Sequence, residues 1–170
     1  MTKSRVKCAR NAIHYLHAMN QQDFLRRQTA LLRASYLHWT GEHLLAANLN
    51  DDEAVAALMS APFGVVSHDT ASDPIFNYAN HRALQLFEMD WQEFTQLPSR
   101  FSAEAGYQAT RGKALEEVSR NGFVQNYSGI RIAKSGRRFW IRDTTIWNLV
   151  TPDGEYQGQA ARIALTAELA

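Results

Sequence analysis

Mostly apolar residues recur at three- and four-residue spacing through "DFLRRQTALLRASYLHW", where Phe24, Gln28, Leu31, Leu32, Ser35, Tyr36 and Trp39 share one helical face. That period predicts an amphipathic helix over residues 24–39, stopped by Gly41 after Thr40. Residues 5–18 carry a weaker helical pattern. "NDDEAVAALMS" then offers acidic caps at Asn50 to Asp52 and a short helix through Met59. At Ala61–Pro62 the texture changes. "FGVVSHDT" and "IFNYA" are short and closed by turn residues, so both read as strands. Asn80 is placed to cap a helix that buries Ala83, Leu84 and Phe87, and Asp90 a shorter one presenting Trp91, Phe94 and Leu97 before Pro98. Ser102 is placed to cap a longer helix running to about Arg120, with Tyr107, Arg111, Leu115 and Val118 on one face and Asn121–Gly122 as its stop. Beyond Phe123, "FVQNYSGIRIA", "RRFWIRDTTIWNLV" and "YQGQAARIAL" read as three strands, joined by turns at Lys134–Ser135–Gly136 and Thr151–Pro152–Asp153–Gly154.

This order predicts an α+β fold. It divides into an N-terminal helical extension (residues 1–60) and a main domain (61–166). With 170 residues, 45% apolar and 21% charged, the chain has the composition of a soluble globular protein with room for one domain and an extension. Eighteen basic residues against seventeen acidic ones leave a formal charge of +1. No general attraction to nucleic acid or to an anionic membrane follows, so neither is an expected partner. The single cysteine, Cys8, excludes an intramolecular disulfide and suits a reducing compartment. No apolar run approaches the roughly 20 residues that cross a bilayer, and the basic start lacks the apolar centre of a secretory signal. A cytoplasmic protein is the expectation.

The segment "IFNYANHRALQLFEMDWQEFTQL", with its Tyr-x-Asn at the end of a strand and two capped helices after it, resembles the corresponding part of a PAS domain. A wider resemblance spans about residues 20–165. "APFGVVSHDTASDPIFNYANHRALQLFEMDWQEFTQLPSRFSAE" and "YSGIRIAKSGRRFWIRDTTIWNLVTPDGEYQGQAA" are similar to the MEKHLA domain, a PAS-related family, and to its stand-alone bacterial type in particular. The six-letter string that names the family is absent, as are a homeodomain, a zipper and a basic arm. The resemblance implies a PAS-like α+β sensor fold, a five-stranded antiparallel sheet with helices on one face enclosing a small cavity and the N-terminal helical extension packing on the other face, and it supplies no catalytic residues. Covalent flavin photochemistry of the PAS type uses a cysteine inside the helical segment, whereas Cys8 lies far upstream. Haem binding uses a histidine in the longer helix, and residues 103–120 contain none. Both cofactors are disfavoured; non-covalent flavin or another small molecule stays open, and the cofactor is unknown.

Strict strand alternation sorts the candidate site residues. It puts Phe139, Ile141, Asp143, Thr145, Trp147 and Leu149 on one side of their strand, with the 24–39 helix covering Phe139, Ile141 and Trp147. Trp140, Arg142, Thr144, Ile146 and Asn148 take the other side. The PAS pattern makes Tyr127, Arg131, Arg142, Thr144 and Asn148 the concave face, with Trp140 beside them and Asn77 as a further ligand-facing residue. Two arginines there suit a small polar or anionic ligand; the alternative is that Arg131 and Arg142 pair with acids such as Glu104 or Asp143, or reach the rim into water. Ser99, Arg100 and Ser102, placed before a helix, form a second candidate anion site, unless Ser102 is only a cap. The six histidines lack acidic or thiol partners at ligand spacing, so no metal site is predicted. The functional expectation is a module that binds a small molecule or a partner and signals through protein–protein association, as a homodimer or with a signalling protein. A homodimerisation module with a filled cavity is one alternative. A small cavity enzyme using Asp143 or His68 as base is the other.

Overall fold

No glycine or proline interrupts the first forty residues, and Lys3–Thr40 form one helix, α1, where the hydrophobic pattern suggested two segments. The computed structural model describes the backbone of residues 3–103, 106 and 108–168, and the side chains of 20–103, 106, 112–164 and 166–168. α2 (Asp51–Met59) begins in a capping box. Asn50 Oδ1 accepts from Glu53 N at 3.0 Å, and Glu53 Oε2 accepts from Asn50 N at 2.9 Å. Arg26 of α1 reaches across to Asp52 and holds the two helices together.

The rest alternates as the pattern predicts: β1 (Gly64–His68), β2 (Phe76–Ala79), α3 (His81–Phe87), α4 (Trp91–Phe94), a 3₁₀ turn (Ser99–Ser102), α5 (Gln108–Asn121), β3 (Phe123–Ile132), β4 (Arg138–Val150) and β5 (Tyr156–Glu168). The five strands form one antiparallel sheet in the order β2-β1-β5-β4-β3. Ser102 does not cap α5. Its hydroxyl donates to Ser99 O at 2.8 Å and closes the 3₁₀ turn, six residues before α5 begins. Leu115 and Val118 lie on the inward side of α5 as expected; Tyr107 and the Arg111 side chain fall outside the described residues.

Two apolar layers sandwich the sheet. On one face, Leu32 and Tyr36 of α1 and Leu58 of α2 pack on Val65, Trp147 and Leu149. The Tyr36 ring meets the Trp147 ring edge-on at 5.0 Å. Each such fully buried side chain contributes about 1.5–3 kcal/mol. The stripe read from the sequence is therefore the one that docks: Gln28, Leu32, Ser35 and Tyr36 are all buried. Its two polar members have partners. Ser35 Oγ donates to Val150 O (3.1 Å) and accepts from Val150 N (3.0 Å), where the β4–β5 register shifts. Gln28 Nε2 donates to Ser67 Oγ at 2.9 Å.

On the opposite face, Phe87 of α3 and Phe94 of α4 pack on Phe76, Phe139 and Ile141. The Phe76 and Phe94 rings stack at 4.4 Å, and Phe87 contacts Phe139 edge-on at 5.4 Å. Phe139 and Ile141 thus lie away from α1, contrary to strict alternation. Asp143 is the cause. It sits in the left-handed region (φ 48°), opposite a stretch of β3 where the pairing register shifts and Asn126 is also left-handed (φ 56°). The paired bulges exchange the two faces of β4, so that Ile141 and Thr144 point the same way.

α3 ends at Glu88, in the left-handed conformation (φ 58°), and a polar clasp fixes that end. Glu88 accepts from Arg137 Nε at 2.7 Å and from Ser135 N at 3.2 Å, while Arg137 Nη2 donates to Leu86 O at 2.7 Å. The Arg137 hydrogen bond, with those from Ser135, holds the Glu88 carboxyl at about 2, below its ordinary 4.5. A depressed folded-state value contributes stability that is fully present above the unfolded value and is lost as pH falls from about 4.5 towards 2. Glu88→Gln is expected to flatten that acid-side decline, read as the urea midpoint at several pH values across the interval. An unchanged acid slope in the variant would remove Glu88 from the account. The effect is modest, because both partners remain about a third exposed.

Candidate functional site

Between the sheet and α3–α5 lies a small chamber of about 50 Å³, walled mainly by Val66, Phe76, Phe87, Ile141, Ile146 and Ile163. At roughly 10–15 Å³ for one water, it holds about three or four. Outside it is an open depression of about 650 Å³, bordered by Pro74, Arg100, Glu116, Arg120 and Tyr156. His68, Leu115 and Gln159 border both spaces and separate them.

Arg131 is the charged group of the chamber. It projects from β3, is 7% exposed, and uses Nη1 to donate to its neighbour's carbonyl, Ile130 O, at 3.0 Å. Its Nε and Nη2 donors have no protein partner among the described residues, and no acid pairs with it there. Glu104, one of the acids considered from sequence, lies outside the described residues; Asp143, the other, is exposed. The guanidinium lies 5.5 Å from the Tyr127 ring centroid. Both side chains lean over Gly129. A Cβ at that position would stand 2.6 Å from the Tyr127 hydroxyl and 3.1 Å from Arg131 Nη1. The glycine of "YSGIR" is the space into which Tyr127 and Arg131 fold.

Thr144 joins Arg131 in the wall, fully buried, its hydroxyl making only a long 3.4 Å bond to Arg142 O. Trp140 and Arg142 do not join them. The bulge at Asp143 leaves them on the other face, where exposed Arg142 lies 5.5 Å from the Trp140 ring centroid. Asn148 is on the chamber side but outside its wall, and its groups tie elements together. Its Nδ2 donates to Val118 O (3.0 Å), its Oδ1 accepts from Gln159 Nε2 (3.1 Å), its N donates to Gly122 O (2.8 Å) and its O accepts from Trp39 Nε1 (2.9 Å). Asn77 is also placed elsewhere. It is the extra residue of a bulge between β1 and β2, and its Oδ1 accepts from Ser67 Oγ at 2.6 Å, on the side of α1.

The second anion candidate is divided. Arg100 is engaged by Asp73 through Nε at 3.0 and 3.2 Å and stacks on Phe101, so its charge already has a carboxylate. Ser99 and Arg100 border the depression, whereas Ser102 borders the chamber. Of the two candidate bases, His68 reaches the chamber, with Nδ1 2.8 Å from Asp69 O; Asp143 faces solvent. Among the described residues, no three metal-ligating side chains converge and no helix is long and apolar enough to cross a membrane.

Gln159 was missed by the sequence reading. Its signal is an amide in β5 flanked by small residues, Gly158, Ala160 and Ala161, which leave room beside the strand. It stands at the boundary of both spaces and bonds to Asn148.

Comparison with known proteins gives the same fold. The MEKHLA domain family matches residues 26–166. No curated protein matches the chain. A crystal structure of a PAS domain from Colwellia psychrerythraea superposes with a TM-score of 0.59 at 12% identity, covering 69% of this chain and 95% of that one. An RNA-binding light-oxygen-voltage receptor gives 0.59 at 18% identity, covering 75% of this chain and 35% of the receptor, so this chain spans about a third of its length. A light-oxygen-voltage domain studied with a flavin analogue gives 0.54 at 19% identity, covering 68% and 84%. The architecture is that of a PAS domain.

Proposed function

The chain belongs to the MEKHLA domain family, and from that premise we propose that it is a PAS-like sensor: a small molecule held in the chamber changes how α1 sits on the sheet, and α1 passes the change to a second copy or a signalling partner. The observation that carries this reading is the run of hydrogen bonds from the chamber to α1. Gln159 stands in the chamber wall, Asn148 accepts from it, and Trp39 at the end of α1 donates to the Asn148 carbonyl. A ligand shifts an equilibrium only through different affinity for its two states. Gln159 supplies such a difference. Its amide serves Asn148 in the arrangement seen here, and a chamber occupant competes for it.

The competing reading is an association module whose cavity is filled by its own side chains. Its support is the chamber's small size against the roughly 300–1,000 Å³ of ordinary ligand pockets. Native mass spectrometry of freshly purified protein separates the two when combined with hydrogen exchange. The sensor reading expects an added mass on the native species that is lost on denaturation, and faster exchange at residues 32–40 once that mass is removed. A bare native dimer, with exchange in α1 indifferent to every small molecule tried, would leave the association module instead.

A further inference from the structure

Taking the sensor reading as its basis, we infer that the chamber is a site for a short-chain monocarboxylate of about two to four carbons, held by Arg131. Charge comes first. A guanidinium nine-tenths buried ordinarily has a carboxylate beside it, because an unpaired buried charge is costly. Arg131 has only the Ile130 carbonyl and the Tyr127 ring among the described residues. The Nε–Nη2 edge is a two-donor fork, the geometry that a carboxylate accepts in parallel.

Size and wall chemistry narrow the class. Space for about three or four waters admits a carboxylate with a short tail and excludes an intact flavin or nucleotide. Phe87, Ile141, Ile146 and Ile163 give that tail an apolar seat. Arg131 is the one cationic side chain among the described residues of the wall. A dianion such as phosphate, sulfate or a dicarboxylate would keep an uncompensated charge in an apolar enclosure. A monoanion balances. Access runs from the open depression past Leu115 and Gln159. Gly129 completes the site by letting Arg131 lie along the strand rather than across the space.

The test uses the full chain, thoroughly dialysed, with acetate, propionate and butyrate as probes, and chloride, phosphate, citrate and flavin mononucleotide as comparators. Binding is read by calorimetry and by the thermal midpoint. The expected result is saturable binding of at least one of the three monocarboxylates, weakened about tenfold to a hundredfold in Arg131→Met, as loss of charge-assisted hydrogen bonds implies. Ala161→Leu, which fills the chamber while keeping the guanidinium, is expected to abolish binding and stands in if Arg131→Met fails to fold. Monocarboxylate binding indifferent to both changes would overturn the proposal. So would saturable, Arg131-dependent binding of a comparator alone, which would leave the sensor reading standing with a different ligand class. A bare native mass with no binding by any probe would remove both.

Discussion

Asn80→Ala is expected to destabilise the protein by about 3–5 kcal/mol and to lower its thermal midpoint by about 10 °C or more. Asn80 is fully buried, and its amide serves four backbone groups at once. Oδ1 accepts from Ala83 N at 3.1 Å, which caps α3, and from Val65 N at 2.9 Å in β1. Nδ2 donates to Leu58 O at 3.0 Å at the end of α2 and to Phe63 O at 2.8 Å. Alanine keeps none of these bonds and leaves buried donors and acceptors unsatisfied, which costs more than losing an exposed cap. Against a total stability of about 5–15 kcal/mol this is a large fraction. Asn80→Asp separates the two halves of the amide. It keeps the two acceptor bonds but turns a carboxylate towards Leu58 O and Phe63 O, so it is expected to be nearly as damaging at neutral pH. Denaturant titrations of both variants decide the matter; a loss below about 1 kcal/mol in Asn80→Ala would show that the four-way junction contributes no more than an ordinary cap.

Gly122→Ala carries the second large effect, about 3–4 kcal/mol. Gly122 adopts φ 87° at the end of α5, and its flat α-carbon lies against the Trp39 indole; a Cβ there would come within 2.2 Å of the ring. The left-handed conformation costs an L-residue about 1–2 kcal/mol by itself. The remainder comes from pushing Trp39 off the Asn148 carbonyl. A double-mutant cycle with Trp39→Ala isolates that part. With the indole removed, Gly122→Ala is expected to cost only its backbone penalty. Full additivity would mean that the close approach carries no energy and that α1 is anchored elsewhere.

Local chemistry was legible in the sequence wherever a few neighbouring residues sufficed. The stripe from Gln28 to Tyr36 docks as its spacing requires, Asn80 and Asp90 cap the helices they precede, and the short strands form between the turn residues that bound them; their joining into one five-stranded antiparallel sheet is what the family resemblance implies. Tyr127, Gly129 and Arg131 keep to one side of β3, because the extra residue at the register shift between Tyr127 and Gly129 lies on β4 and the pairing from Gly129 to Ile132 is regular. Arg142, Trp140 and Asn77 could not be placed in the same way. Their orientation depends on one left-handed residue, Asp143, and one extra residue, Asn77, and each is set by pairing with another strand.

The sequence by itself determined the fold class, the capped helices, the face of α1 and the family. The capped helices and the face of α1 rest on periodicities and caps that act within about one or two helical turns; the fold class and the family rest on the resemblance of longer sequence blocks to the MEKHLA domain. Tertiary structure alone decided which side of β4 each residue occupies, that Asn80 serves three backbone groups beyond its own helix, that Gln159 borders the chamber, and that Arg131 is buried there with no acid paired to it among the described residues. The physical reason is that a bulge inverts every later side chain on a strand, while the partners of a buried polar group come from segments distant in the chain.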